Sequence, residues 1–149
     1  MSQKDTAPPP ERFNFARHLI DANAGRNNKT ALIDAGRRMT FGQLDTETNR
    51  VAHAVAREGA KPGAVVAYVG KNSVPFFEIL FGASKAGCTV LPLNWRLAAA
   101  ALAPIVDDAL PALIFVDKEF EPLVGKVFEA ATHRCKVIPF DPSAPDSGL

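Results

Sequence analysis

Apolar positions recur along this chain in two rhythms, one of helical period and one of short continuous runs, and the two take turns. From Phe13 to Ala24 the residues Phe15, His18, Leu19 and Ala22 fall at helical spacing; Asn14 is placed to cap that helix and Gly25 to end it. The stretch Thr30 to Phe41 follows, two apolar pieces around Asp34-Ala35-Gly36, which predicts a hairpin. Thr40-Phe41-Gly42-Gln43 fits a capping box, with Met39 and Leu44 in the positions of a hydrophobic staple. Leu44, Thr48, Val51 and Val55 then make one helical face, which Gly59 and the turn Lys61-Pro62-Gly63 bring to an end.

The second half turns to continuous runs. Ala64 to Gly70 (AVVAYVG) is apolar throughout and predicts a strand buried on both faces. Asn72 or Ser73 is expected to cap the next helix, with Pro75 in its first turn, an apolar face of Phe76, Phe77, Ile79, Leu80 and Ala83, and Gly87 at its end. Strands are predicted at Thr89 to Pro92, Ala112 to Asp117 and Lys136 to Phe140, with helical stretches between them. The expected fold is therefore α/β: a parallel sheet of about four strands with helices on its faces, preceded by a helix and a β-hairpin. In such sheets ligands meet the loops at the carboxyl ends of the strands, here Gly70–Ser73, Leu93–Leu97 and Asp117–Glu119.

Composition narrows the function classes. The chain of 149 residues is 47% hydrophobic, enough for one domain with a core, and no internal repeat is evident. Its formal charge of +1 gives no reason to expect nucleic acid or an anionic membrane, and Arg37-Arg38 reads as a solvated turn. No apolar run is long enough to span a bilayer. Cys88 and Cys135 stand far apart without metal-ligand spacing, so neither a disulfide framework nor a zinc site is expected, and a reduced, cytoplasmic protein is the plain reading. The Pro-rich residues 1–12 read as a disordered lead, 13–141 as the domain, and 142–149 as a linker or frayed tail.

Catalytic motifs are missing. There is no G-x-G-x-x-G and no G-x-x-x-x-G-K-[ST]; the single Gly70-Lys71 at a strand exit reads as a structural turn. His18, His53 and His133 have no nucleophile partner in sequence, and Asp107-Asp108 reads as the solvated end of a helix, since adjacent residues on a helix do not face each other. The exit Pro92-Leu93-Asn94-Trp95-Arg96 leaves two readings open. Pro92 closes the strand, Asn94 favours a turn and Trp95 covers apolar surface, while Arg96 is a planar cation suited to phosphate or carboxylate.

Three pieces together, MTFGQLDTETNRVAHAV, VVAYVGKNSVPFFEILFGASKAG and TVLPLNWRL, in this order and spacing, resemble the N-terminal region of AMP-forming acyl-CoA synthetases of the adenylate-forming superfamily. The resemblance covers about Phe13 to Asp141. It implies part of the family's large N-terminal domain. It implies ATP, Mg²⁺ and CoA as cofactors, a small carboxylic acid as substrate, and an acyl-adenylate that is then attacked by a thiol. It further implies that Arg96 is a contact to a CoA phosphate and that Asn94 holds the loop presenting it. The family's Ser/Thr/Gly-rich phosphate loop, its aromatic-Gly-x-Thr-Glu segment, its ribose-binding Asp and its C-terminal catalytic Lys have no counterpart among these residues. The chain is thus expected to be the first portion of a ligase, a truncated product or an excised piece. On its own it would be inactive, would bind no cofactor tightly, and would be prone to self-association through exposed apolar surface. A stand-alone, non-catalytic α/β module binding a nucleotide-like ligand or a partner protein is the rival. Fatty acids are the default substrate, with aromatic acids open. Where the family commonly has Thr-Pro-x-Glu-Leu after the Arg-Leu pair, this chain has AAAALAPIVDDAL; a kink, or a helix starting near Pro104, is expected.

Overall fold

The computed structural model describes residues 14–142, so the expected lead over 1–12 and all but the first residue of the expected tail lie outside the described residues. Helix α1 (Phe15–Ala22) precedes a hairpin of β1 (Thr30–Asp34) and β2 (Arg37–Thr40). Asn14 caps α1 by accepting from the Arg17 amide at 3.1 Å. The hairpin turns at Ala35 and Gly36, both at positive φ (46° and 84°), as a two-residue turn matching the strand twist requires. Arg37 and Arg38 lie on β2 itself rather than in a turn, and both are exposed.

Helix α2 (Phe41–Arg57) starts on the capping box read from sequence: the Thr40 hydroxyl accepts from the Gln43 amide at 3.2 Å, and Gln43 Oε1 accepts from the Thr40 amide at 2.9 Å. Met39 and Leu44 are both buried in one cluster, as a staple places them. The buried side of α2 is Leu44, Thr48, Val51 and Val55. Thr48 is tolerated there because its hydroxyl donates back to the Leu44 carbonyl at 2.7 Å.

The remaining elements alternate: β3 (Val65–Val69), α3 (Val74–Lys85), β4 (Thr89–Leu93), α4 (Ala99–Ala109), β5 (Leu113–Asp117), a short 3₁₀ helix (Lys118–Phe120), α5 (Glu121–Ala130) and β6 (Lys136–Phe140). The strands form one parallel sheet ordered β4-β3-β5-β6. Alternation along β3 and β5 divides the core. Val66, Tyr68, Leu113 and Phe115 face the layer that holds Val51, Val55 and Ile79. Ala67, Val69, Ile114 and Val116 face the layer of Leu102, Val106, Val124 and Val127. Pro92 and Pro139 lie within β4 and β6, the two edge strands, where a missing N–H costs no ladder bond.

Four further sequence expectations need correction. The buried side of α1 is Ala16 with Leu19, whereas Phe15, His18 and Ala22 are exposed; Phe15 only leans its ring on Phe81 at 5.5 Å between centroids. Neither Asn72 nor Ser73 caps α3 through its side chain. Ser73 holds the cap position, but the Val74 amide donates to Asp34 Oδ2 at 3.2 Å, from the hairpin. The buried side of α3 is Val74, Pro75, Glu78, Ile79, Phe81, Gly82 and Ala83, with Phe76, Phe77 and Leu80 only partly covered; the helix is wedged between α2, the sheet and α1. Finally, α4 does not begin at Pro104. It runs from Ala99 to Ala109 with Pro104 inside it. Pro104 is exposed, so the Ala100 carbonyl that it deprives of a partner opens to water.

Helices α2 and α3 are held close. A Cβ on Gly82 would stand 2.5 Å from Val51 Cβ and 2.9 Å from the Thr48 carbonyl oxygen. Lys85 Nζ, on the next turn, donates to Asp45 Oδ1 at 2.5 Å and to Asn49 Oδ1 at 2.7 Å. Gly82→Ala is therefore expected to lower stability by about 1–3 kcal/mol, the usual cost of forcing extra volume into a filled contact. Pro104→Ala is expected to do the reverse, raising stability by up to about 3 kcal/mol through a restored helix bond. Urea-unfolding midpoints of the two variants against the parent chain check both signs.

Candidate functional site

The loops after β3, β4 and β5 converge where the strand order changes direction, β3 being flanked by the strand that follows it and by the one after that. A cleft of about 210 Å³ opens there, lined by Tyr68, Gly70, Asn72, Phe76, Asn94 and Arg96 among others.

The first wall is made by β3 and its exit. Tyr68 is 2% exposed and stacks near Phe76 and Phe140, with centroids at 5.0 and 5.8 Å. Its hydroxyl donates to the Lys71 carbonyl at 2.7 Å and so pins the loop. A Cβ on Gly70 would meet that hydroxyl at 2.5 Å. The glycine is there to let the phenol fold back, which agrees with its reading as a structural turn. Burial pushes the Tyr68 phenol up to about 12; the Ser73 hydroxyl pulls the other way and the Asp117 carboxylate adds to the rise.

The second wall is the β4 exit. Asn94 Oδ1 accepts from the Arg96 amide at 3.1 Å, and the Leu97 amide donates to the Asn94 carbonyl at 3.0 Å. These two bonds close a tight turn that brings Arg96 to the mouth of the cleft. Its guanidinium lies over the Trp95 ring, Cζ being 4.2 Å from the ring centroid. Trp95 in turn stacks on Phe120 at 4.9 Å. The guanidinium is exposed, its face resting on the indole.

The 3₁₀ helix after β5 stands behind Trp95, outside the residues that line the cleft. Asp117, 5% exposed, accepts from the Glu119 amide at 3.2 Å and sets that turn. Glu119 pairs with Lys71 at 2.6 Å. Lys71 Nζ is 5.9 Å from the Trp95 centroid and 5.7 Å from that of Phe120. Sequence reading names the loops that carry Lys71 and Glu119 but takes Gly70-Lys71 as a structural turn; it misses Phe120 and the pairing of Lys71 with Glu119. Lys71 and Glu119 are 48 residues apart, and the order of the strands brings them together.

The other groups weighed in sequence go elsewhere. His18 and His53 are on α1 and α2. His133 Nε2 meets the Pro111 carbonyl at 2.8 Å. Asp107 is not a loose helix end: its Oδ1 accepts from the Thr132 and His133 amides, and those bonds hold its carboxyl below the usual range. Burial pushes both thiols up, that of Cys135 to about 11, so neither is an activated nucleophile. Among the described residues there is no group of three or more His, Cys, Asp or Glu that could hold a metal ion. No described helix is long and apolar enough to cross a membrane.

A family model described as "AMP-binding enzyme" matches residues 19–147. The chain is 44% identical over 97 residues, 65% of its length, to a fatty acid–[acyl-carrier-protein] ligase of Streptomyces coeruleorubidus, of which that stretch is 19%. It is 31% identical over 132 residues, 87% of its length, to a 4-hydroxybenzoate–CoA/benzoate–CoA ligase of Rhodopseudomonas palustris, of which it covers 24%. In structure it superposes on a benzoate CoA ligase of Burkholderia xenovorans with a TM-score of 0.80 and 28% identity, over 89% of this chain and 27% of that one. The chain thus spans about a quarter or less of the curated relatives it matches.

Tyr68 is the only tyrosine of the chain, so phenolate absorbance reports it alone. In the folded chain it is expected to titrate near pH 12 rather than 10. Because the folded value lies above the unfolded one, this group's stabilising contribution is whole below pH 10 and is lost as pH rises through 12. An ordinary phenol titration in a chain that circular dichroism shows still folded would contradict the burial described above.

Proposed function

Because the chain belongs to the AMP-binding enzyme family, we propose that it is the N-terminal segment of an ATP-dependent carboxylic acid–CoA ligase, one that makes an acyl-adenylate and then a thioester. The observation that supports this most is the likeness over 89% of the chain, in fold as well as sequence, to a solved benzoate CoA ligase. In this reading Arg96 meets a phosphate of CoA at the mouth of the cleft, and Asn94 is the residue that sets its loop. The donor set suits an anion of that kind, because a planar guanidinium is the side chain best matched to phosphate, and this one is exposed at the cleft mouth, supported by an indole and a tight turn.

The adenylating half-reaction needs phosphate and metal contacts that these residues do not offer. The sequence has no Ser/Thr/Gly-rich loop ending in Pro-Lys-Gly, and the described residues hold no carboxylate cluster for Mg²⁺. The contribution of this segment is instead a scaffold and one side of the thiol-acceptor site, and the exposed Phe15, Ile33, Leu97, Ile105 and Leu110 are the places where it would meet other protein surface. The two unpaired cysteines fit a cytoplasmic setting. Both aliphatic and aromatic acids are named among the relatives, and the acid pocket is expected in later segments.

A second reading keeps the chemistry and changes the acceptor. The relative at 44% identity is named as acting on an acyl-carrier protein, so the thiol here would belong to a carrier rather than to free CoA. ATP–pyrophosphate exchange tests the main reading. The 149-residue chain, offered benzoate, 4-hydroxybenzoate and medium-chain fatty acids with Mg²⁺, is expected to show only background exchange. Exchange well above background would overturn the inactivity of the isolated segment. A reading frame that continues past Leu149 into a Ser/Thr/Gly-rich loop would support the ligase. A stop there, with unrelated sequence beyond, would favour the stand-alone module.

A further inference from the structure

From the geometry around Trp95 we infer that Lys71 is a second phosphate anchor beside Arg96, and that Glu119 occupies it until a phosphate-bearing ligand arrives. This rests on the reading that the cleft takes the nucleotide end of CoA.

Two cations converge on one indole. Arg96 Cζ is 4.2 Å and Lys71 Nζ 5.9 Å from the Trp95 ring centroid. They come from different strand exits, those of β4 and β3, and each exit is pinned by a bond that does not depend on the charge it carries. The Tyr68 hydroxyl holds the Lys71 backbone at 2.7 Å, and Asn94 Oδ1 holds the Arg96 amide at 3.1 Å. A lysine on a flexible stem and a planar arginine complement each other: the arginine fixes one phosphate by its edge, and the lysine reaches a neighbouring one as a point charge.

Lys71 is currently held by Glu119 at 2.6 Å, and the two side chains are 52% and 57% exposed. An ion pair so open to water contributes little, so a phosphate with more than one negative charge can take its place. Glu119 sits where it does because the buried Asp117 carboxylate binds its amide and shapes the turn. The Glu119 carboxylate thus competes with an incoming phosphate for the same ammonium and repels it at the same time.

The chain supplies its own reporter, since Trp95 is its only tryptophan. CoA is titrated into the 149-residue chain to millimolar concentration, with dephospho-CoA in parallel, and Trp95 emission is followed at the red edge of indole absorption. Saturable quenching is expected, weaker at high salt. Lys71→Ala is expected to weaken binding about tenfold, and Glu119→Gln to tighten it roughly threefold to fivefold. In Lys71→Ala/Glu119→Gln the gain from losing Glu119 is expected to vanish; a gain that persists would mean the carboxylate acts only by general repulsion and would overturn the gate. All three positions are exposed, and circular dichroism confirms that each variant is folded. Arg96→Ala separates the two readings. If it abolishes binding while the Lys71 and Glu119 variants match the parent, the second anchor is wrong and the Arg96 contact stands. If Lys71→Ala abolishes binding and Arg96→Ala does not, the reverse holds. No saturable response in any of the proteins overturns both. A loss confined to dephospho-CoA assigns the anchor to the ribose phosphate, and equal binding of the two probes assigns it to the diphosphate; either assignment supports the pair.

Discussion

Strand β3 is the constraint from which the rest of this domain follows. Its residues Val66 to Val69 are at most 2% exposed, and it is bonded on one side to β4 and on the other to β5. A strand buried on both faces and both edges has no freedom of register, because a slip of one residue would send Tyr68 into the layer that now holds Ala67 and Val69. That fixed register decides where β3 ends, and its end decides where Lys71 stands. The neighbours diverge at the same point, so the cleft is a product of strand order before it is a product of any side chain.

Tyr68 connects the core to the cleft. Its ring belongs to the layer of Val55 and Phe115, yet its hydroxyl is bonded to the loop that carries Lys71. Gly70 is small for the sake of that phenol. On the β4 side a different device gives the same result: two short-range bonds to Asn94 set the turn, and an aromatic stack of Trp95 on Phe120 ties it to the β5 side. The charged groups are therefore exposed ends on pinned supports, an arrangement that suits recognition of a solvated anion better than proton transfer.

What could be read from sequence was what is local. The capping box at Thr40 and Gln43 spans three residues and forms as expected, and the face of α2 follows from helical spacing alone. The turn at Asn94 is equally local. The capping of α3 by Asp34 was not legible, because the partner lies 40 residues away and nearer serine and asparagine residues were better candidates by type. The side of α1 was misjudged for a related reason. On a helix of eight residues a large exposed Phe15 dominates the pattern, while the contact that counts is a small one, Ala16 at 0% exposure against α3. The Lys71–Glu119 pair, 48 residues apart, became visible only once the order of the strands was known.

The two edge prolines have a bearing on how this sheet behaves in company. An open parallel sheet leaves two rims of backbone that could recruit like strands from neighbouring chains and grow without limit. Pro92 on β4 and Pro139 on β6 each remove a donor from their rim and place a ring where an incoming strand would need to lie flat. Edge-to-edge addition is thereby obstructed at both ends of the four-stranded sheet that the described residues form.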